Sequence, residues 1–251
     1  MLDKKQLAIF AVPRSGTKLL ADIFQQQGYH NFGEFFNPHS VYVVDNQGMP
    51  FAKRLSIEDQ ILVNSRQGDS EELFFYKKSL VVRERLEQFK NIKNTQPSVV
   101  TVWFENCLRL PHLLTELDNR FFICLRRKNK FELLLSRMIT LGNYNYNNEI
   151  PSNTIKVNLN KFENEFAKLR RVEIMQEFLI NSNKGILVDF DDLVNGTANL
   201  GFTYTVTSED QHSGDELYNL IINLEEVQNK FKELELAYGT ANTNHGFTGF
   251  W

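Results

Sequence analysis

The chain has 251 residues, 42% of them hydrophobic and 24% charged, with a formal net charge of −3. This is ordinary globular usage, which sets wholesale disorder aside. The mildly acidic balance argues against a general nucleic-acid binder, and no run approaches the roughly 18 apolar residues of a membrane span.

The charged lead MLDKKQ passes straight into a strand-like segment with no small-residue cleavage site. Cys107 and Cys124 both sit in apolar stretches. A cytoplasmic protein with reduced thiols and no membrane span is therefore expected. Residues 6–12 (QLAIFAV) are an apolar run rich in β-formers, the pattern of a buried strand. After the turn Pro13-Arg14-Ser15-Gly16, Leu19, Leu20, Ile23 and Phe24 recur at helical spacing, and Gly28 is a natural stop. Residues 31–36 read as a short second strand ended by Asn37-Pro38. Residues 37–69, with Gly48, Pro50 and Gly68, read as an irregular substrate-side insertion.

A charged helix is expected over 70–93, then a buried strand over 98–104 (SVVTVWF). A helix over 106–118 follows, with Pro111 in or near its first turn. Residues 120–127 (RFFICLRR) give the next strand, and Phe131, Leu134, Leu135, Met138 and Ile139 the apolar stripe of the helix after it. Residues 142–153 are Asn-rich and loop-like. Phe162, Phe166, Leu169, Val172 and Leu179 mark a long helix, and 185–190 (GILVDF) a further strand. A last helix over about 216–236 precedes a tail with three aromatics. The alternation predicts an α/β fold, a mostly parallel central sheet with helices on both faces. A single domain over 1–251 is expected, with the insertion at 37–69 and a C-terminal helix and tail at 216–251.

Two helix starts are unusually basic. Arg14 and Lys18 stand where strand one passes into helix one. A helix N-terminus already carries unpaired N–H groups and roughly half a positive charge, so cations there are unfavourable unless an anion is bound. Gly16 permits close approach of the backbone to that anion, and Ser15 and Thr17 add donors. The second cluster, Arg126, Arg127, Lys128 and Lys130, lies at the end of RFFICLRR, with Ser136 on the helix beyond. Both clusters fall at the carboxyl edge of an open parallel sheet, where such folds bind ligands. One anion at each implies a ligand with two separated phosphate groups.

A Walker A loop also cradles phosphate after a first strand, but it needs G-x-x-x-x-G-K-[ST]. Here Ala11 replaces the first glycine and Thr17 separates Gly16 from Lys18. A Walker-B-like run does exist, Ile186-Leu187-Val188-Asp189 followed by Asp191 and Asp192. An aspartate there could hold Mg²⁺ through water, or Asp191 or Asp192 could cap the following turn.

At these motifs the chain resembles the sulfotransferases that use 3′-phosphoadenosine-5′-phosphosulfate (PAPS). PRSGTKLL is similar to their 5′-phosphosulfate loop, P-[RK]-S-G-[ST]-[ST], and LRRKNKFELLLS to their 3′-phosphate motif. Phe190-Asp191-Asp192-Leu193 resembles the Tyr-Glu-Asp-Leu segment of many members, and GEFFNP the bacterial branch that sulfates carbohydrates, including trehalose. The resemblance implies a P-loop-like sulfotransferase architecture. Arg14, Ser15, Gly16, Thr17 and Lys18 would hold the 5′-phosphosulfate, and Arg127 and Ser136 the 3′-phosphate. Lys18 stands where a second hydroxyl residue is common. Arg127 precedes Ser136 by nine positions, where many members use eight, which selects Lys128 instead. Arg127 is preferred for its bidentate fork, with Arg126 and Lys128 in reserve. The Arg-Lys-Gly segment of cytosolic relatives is missing, so another group must complete the 3′ site.

The implied reaction is in-line sulfuryl transfer from PAPS to an acceptor hydroxyl, releasing adenosine 3′,5′-bisphosphate (PAP) and needing no metal. Arg14 and Lys18 suit the charge that develops on the leaving oxygen. Glu34 is nominated as general base, with His39 and His30 behind it. Glu105 and Asn106 could line the acceptor side, whereas Trp103, Phe35 and Phe36 read as core. Phe74, Phe75 and Tyr76, beside Lys77 and Lys78, fit either an acceptor cleft or an amphipathic helix. The acceptor is expected to be a small molecule or glycan, first a carbohydrate or glycolipid hydroxyl. Two other readings stay open, a divergent Mg·ATP P-loop kinase and a nucleotide-binding module without catalysis. Oligomeric state is not written in these motifs.

Overall fold

A computed structural model describes residues 6–44, 50–54, 70–92, 96–143, 154–206 and 217–241. Strands β1 (Gln6–Ala11), β2 (His30–Asn31), β5 (Ser98–Trp103), β6 (Phe121–Arg126) and β7 (Gly185–Asp189) form one sheet in the order β2-β5-β1-β6-β7. Every pairing in it is parallel. Strands β3 (Ser40–Val44) and β4 (Pro50–Arg54) make a separate antiparallel hairpin. The helices are α1 (Thr17–Gln26), α2 (Glu71–Lys90), α3 (Phe104–Arg109), α4 (Leu113–Glu116), α5 (Lys130–Asn143), α6 (Leu159–Asn181), α7 (Phe190–Val194) and α8 (Leu224–Ala241). The protein is thus α/β, with a central parallel sheet flanked by helices in a P-loop-like arrangement. None of the described helices is long and apolar enough to cross a membrane.

The chain divides into two compact units, Met1–Lys128 with Val172–Ser208, and Asn129–Arg171 with Glu209–Trp251. In the first, strand alternation sends Leu7, Ile9 and Ala11 to one face, where they pack with Leu20, Ile23 and Phe24 of α1. Ala8 and Phe10, on the opposite face, are also fully buried, so neither face of β1 meets water. At the amino end, buried Arg120 donates to the Leu7 carbonyl (2.9 Å) and lies 4.6 Å from the Phe89 ring centroid. Burial holds this guanidinium down to about 10.

Pairing of β1 with β6 runs as far as Phe10↔Cys124. Beyond that point the Gln176 amide bridges the two strands, donating to the carbonyls of Phe10 (3.2 Å) and Leu125 (3.1 Å). Both cysteines are free and buried.

In the second unit, Asn223 clamps Val157 by accepting from its N–H (2.9 Å) and donating to its carbonyl (3.1 Å). Phe131 packs against Phe162, Tyr218 and Phe231. Arg137 and Glu165, both buried, form an ion pair through Nε (2.8 Å) and Nη2, and Lys168 joins Glu165 at 2.5 Å. Burial favours the neutral acid, but Arg137 and Lys168 outweigh it and hold the Glu165 carboxyl below its usual range.

Several elements differ from the sequence expectation. The second strand is only His30–Asn31, although Phe32 and Gly33 continue hydrogen bonding to β5 through Val99 and Thr101. Part of the 37–69 segment is a hairpin rather than irregular; its residues 45–49 and 55–69 lie outside the described residues. The expected helix over 106–118 is two short helices, α3 and α4, broken around Pro111, which lacks the N–H a continuous helix needs. The expected last helix is interrupted: Leu217 and Tyr218 are helical, a turn with a bridge from Ile221 to Ile155 follows, and α8 begins at Leu224. The tail from 242 onward lies outside the described residues.

Gln176→Leu should destabilise the protein by about 1–3 kcal/mol, because the Phe10 and Leu125 carbonyls lose a buried donor. Urea unfolding measures it, and an unchanged midpoint would contradict the bridge. Arg137→Met should cost about 3–5 kcal/mol, because the buried Glu165 carboxylate keeps only Lys168 of its two cationic partners. In wild type, a depressed folded carboxyl contributes stability above the ordinary carboxylate range and loses it as pH falls. Urea midpoints measured from neutral pH downward should fall accordingly, and less steeply in Glu165→Gln.

Candidate functional site

The chain leaves β1 toward β2 on one side of the sheet and leaves β6 toward β7 on the other. Loops from these adjacent parallel strands therefore diverge at one carboxyl edge, the crevice where open α/β sheets bind ligands. Residues 12–16 and Arg127 occupy that edge.

The first loop has left-handed residues at Arg14 (φ 72°) and Gly16 (φ 88°), with Ser15 between them. A non-glycine residue in that region is strained, by about 1–2 kcal/mol. Alternating handedness turns successive N–H groups into an anion-binding concavity. Gly16 begins α1 without a side-chain cap, and the first turn of α1 holds no acidic residue. The Ser15 hydroxyl is 1% exposed and has no hydrogen-bond partner among the described residues. A buried, unsatisfied hydroxyl beneath an uncapped helix start costs free energy unless something accepts its proton. Thr17 is also buried, and Lys18 is exposed. One turn on, burial raises the Asp22 carboxyl and the Lys18 charge partly opposes that.

Phe190 joins the two loops. A Cβ on Gly16 would lie 2.2 Å from Phe190 Cε2, so only glycine fits against this ring. The Arg127 guanidinium sits 4.6 Å from the Phe190 ring centroid, within cation–π range. Arg126 Nε lies 3.5 Å from Asp189, and Lys128 Nζ 3.0 Å from Asp192. Among the three basic residues, Arg127 is thus the one stacked beside the first loop. The carboxylate of Asp192 takes Lys128, and the residue that begins α7 is Asp189, not Asp191 or Asp192.

Glu34 lies just past β2 at the same edge, and its Oε2 accepts from Asn37 Nδ2 at 2.8 Å. Asn106 Nδ2 donates to the Phe36 carbonyl (3.1 Å), tying α3 to this turn. His30 donates from Nε2 to the Pro50 carbonyl at 2.8 Å. Phe35 and Phe36 are fully buried, as expected of core residues. Ser136 belongs to the second unit and is buried on α5. Sequence reasoning missed Gln176 and the part played by Phe190. A lone Gln on a helix carries no periodic signal, and Phe190 was legible only as part of a family-like segment.

No protein-family model matches the chain, and a search of curated proteins finds no match.

Gly16→Ala should cost about 2–4 kcal/mol, combining left-handed strain with the clash against Phe190. Adding Phe190→Ala should remove the clash alone, giving a favourable coupling of about 1–3 kcal/mol in a double-mutant unfolding cycle. Strict additivity would contradict the contact.

Proposed function

We propose that the protein transfers a sulfuryl group from PAPS to an acceptor hydroxyl, on a carbohydrate or glycolipid. The observation that carries this reading is the buried, unpartnered Ser15 hydroxyl under an uncapped helix start. The Arg127 guanidinium, stacked on the same Phe190 ring that packs on Gly16, supports a second anion grip at the neighbouring loop. Two such grips suit a ribose carrying groups at its 3′ and 5′ positions.

The loop N–H groups, Arg14, Ser15, Gly16 and Thr17 bind the 5′-phosphosulfate. Arg127 binds the 3′-phosphate. Glu34 removes the acceptor proton as the acceptor oxygen bonds to sulfur. The bond from sulfur to the bridging phosphate oxygen breaks, and PAP departs with that electron pair. Arg14 and Lys18 stabilise the charge growing on the bridging oxygen, the kind of contact whose loss costs about 10²–10³ in rate. Asp189, on which a magnesium-dependent kinase reading would lean, is instead engaged by Arg126 and Lys128, which favours the transferase reading.

Incubation with PAPS carrying radiolabelled sulfate and a panel of glycans and glycolipids should give labelled acceptor. Glu34→Gln should lower turnover about 100-fold or more while leaving PAP affinity within twofold. No transfer to any acceptor would overturn the activity, and undiminished turnover in Glu34→Gln would remove Glu34 from the proton-transfer role.

A further inference from the structure

Three strands reach the carboxyl edge of the first unit side by side, in the order β2-β5-β1. The turn that carries Glu34 leaves β2 and the loop 12–16 leaves β1, so the end of β5 lies between them. Neighbouring strands are about 4.8 Å apart, which sets the two outer strand ends roughly 10 Å from each other. A group handed from the loop toward Glu34 therefore crosses above the last residue of β5, Trp103.

Trp103 pairs in register with Ala11, and partners in a parallel ladder point to the same face, here the one on which α1 packs. The sequence reads this residue as core, but the side chain is only part-buried. Its Nε1 atom is shielded from water and has no hydrogen-bond partner among the described residues. An indole N–H can only donate, and a buried donor without an acceptor costs free energy. The Ser15 hydroxyl, in the loop that follows the adjacent strand, is in the same state. Two unmatched donors thus flank one stretch of the crevice. The backbone of Trp103 is also tied to the Glu34 turn. Its N–H donates to Asn106 Oδ1 at 2.9 Å, and Asn106 Nδ2 donates to the carbonyl of Phe36, two residues beyond Glu34.

We propose that the Trp103 indole N–H donates to a non-bridging oxygen of the sulfuryl group and holds it above the end of β5 during transfer, which makes Trp103 a further catalytic residue. This role rests on the transferase reading. The acceptor oxygen bonds to sulfur as Glu34 takes its proton. The bond from sulfur to the bridging oxygen breaks, and its electron pair leaves with PAP. The indole proton stays on nitrogen throughout. Because the donor is already in place, it needs no reorganisation as charge shifts across the sulfuryl oxygens.

The indole ¹H–¹⁵N resonances of the full chain test the contact directly. Trp103 and Trp251 are the only tryptophans, so Trp251→Phe assigns the two signals. PAPS, without acceptor, should move the Trp103 indole proton downfield, and PAP, which lacks the sulfuryl group, should not. Trp103→Phe keeps a ring and removes the donor. Its turnover should fall about tenfold or more, while its PAP affinity, measured by calorimetry, stays within twofold and shows the loop intact. If wild type transfers sulfate but the Trp103 signal ignores PAPS, or Trp103→Phe turns over at the wild-type rate, the role of Trp103 is wrong and the transferase reading stands. If wild type neither binds PAPS nor transfers sulfate, the transferase reading falls and the role of Trp103 falls with it.

Discussion

The start of α1 directs unpaired N–H groups into a loop that offers them no capping side chain and no acid. Everything else at the sheet edge is arranged around that deficit. Arg14 is held in a left-handed conformation, Ser15 is buried without a partner, and Arg14 and Lys18 add positive charge where the helix dipole is already positive. Each feature alone is destabilising by a fraction of a kcal/mol to about 2 kcal/mol. Strain and an unsatisfied hydroxyl gathered at one turn are the pattern kept at functional positions, and an anion entering there would lower their energy.

Phe190 links the first loop to Arg127. Its ring occupies the space a Gly16 side chain would need and carries the Arg127 guanidinium on its face. The neighbouring cations serve another purpose. Arg126 and Lys128 neutralise Asp189 and Asp192, so the acidic end of β7 and the basic end of β6 are bound to each other. Gln176 contributes at the level of the sheet, bridging β1 and β6 where their pairing stops and the two loops part.

Much of the sheet was legible in the sequence because its strands are buried on both faces and read as continuous apolar runs. The bounds of β1, β5, β6 and β7 fall within a residue or two of those runs. The hairpin was not legible, since Gly48 and Pro50 look like breakers, although proline is tolerated at the first residue of an edge strand. The break around Pro111 was misjudged as a helix start. The basic Ser-Gly-Thr turn between strand and helix was legible from local chemistry, and it lies between β1 and α1. The sequence preferred Arg127 for its bidentate fork, but its place on the Phe190 ring, and the pairing of Lys128 with Asp192, are tertiary contacts with no local signal. Likewise, the meeting of His39 and Lys78 joins positions far apart in the chain and leaves no periodic trace.

The most direct measurement of the central claim is calorimetric affinity for PAP against adenosine 5′-monophosphate, without magnesium, in wild type and Arg127→Ala. Two linked anion grips predict that wild type binds the bisphosphate at least tenfold more tightly, and that Arg127→Ala loses this margin while still binding the monophosphate. Equal affinity of wild type for the two nucleotides, or a margin untouched by Arg127→Ala, would contradict the account.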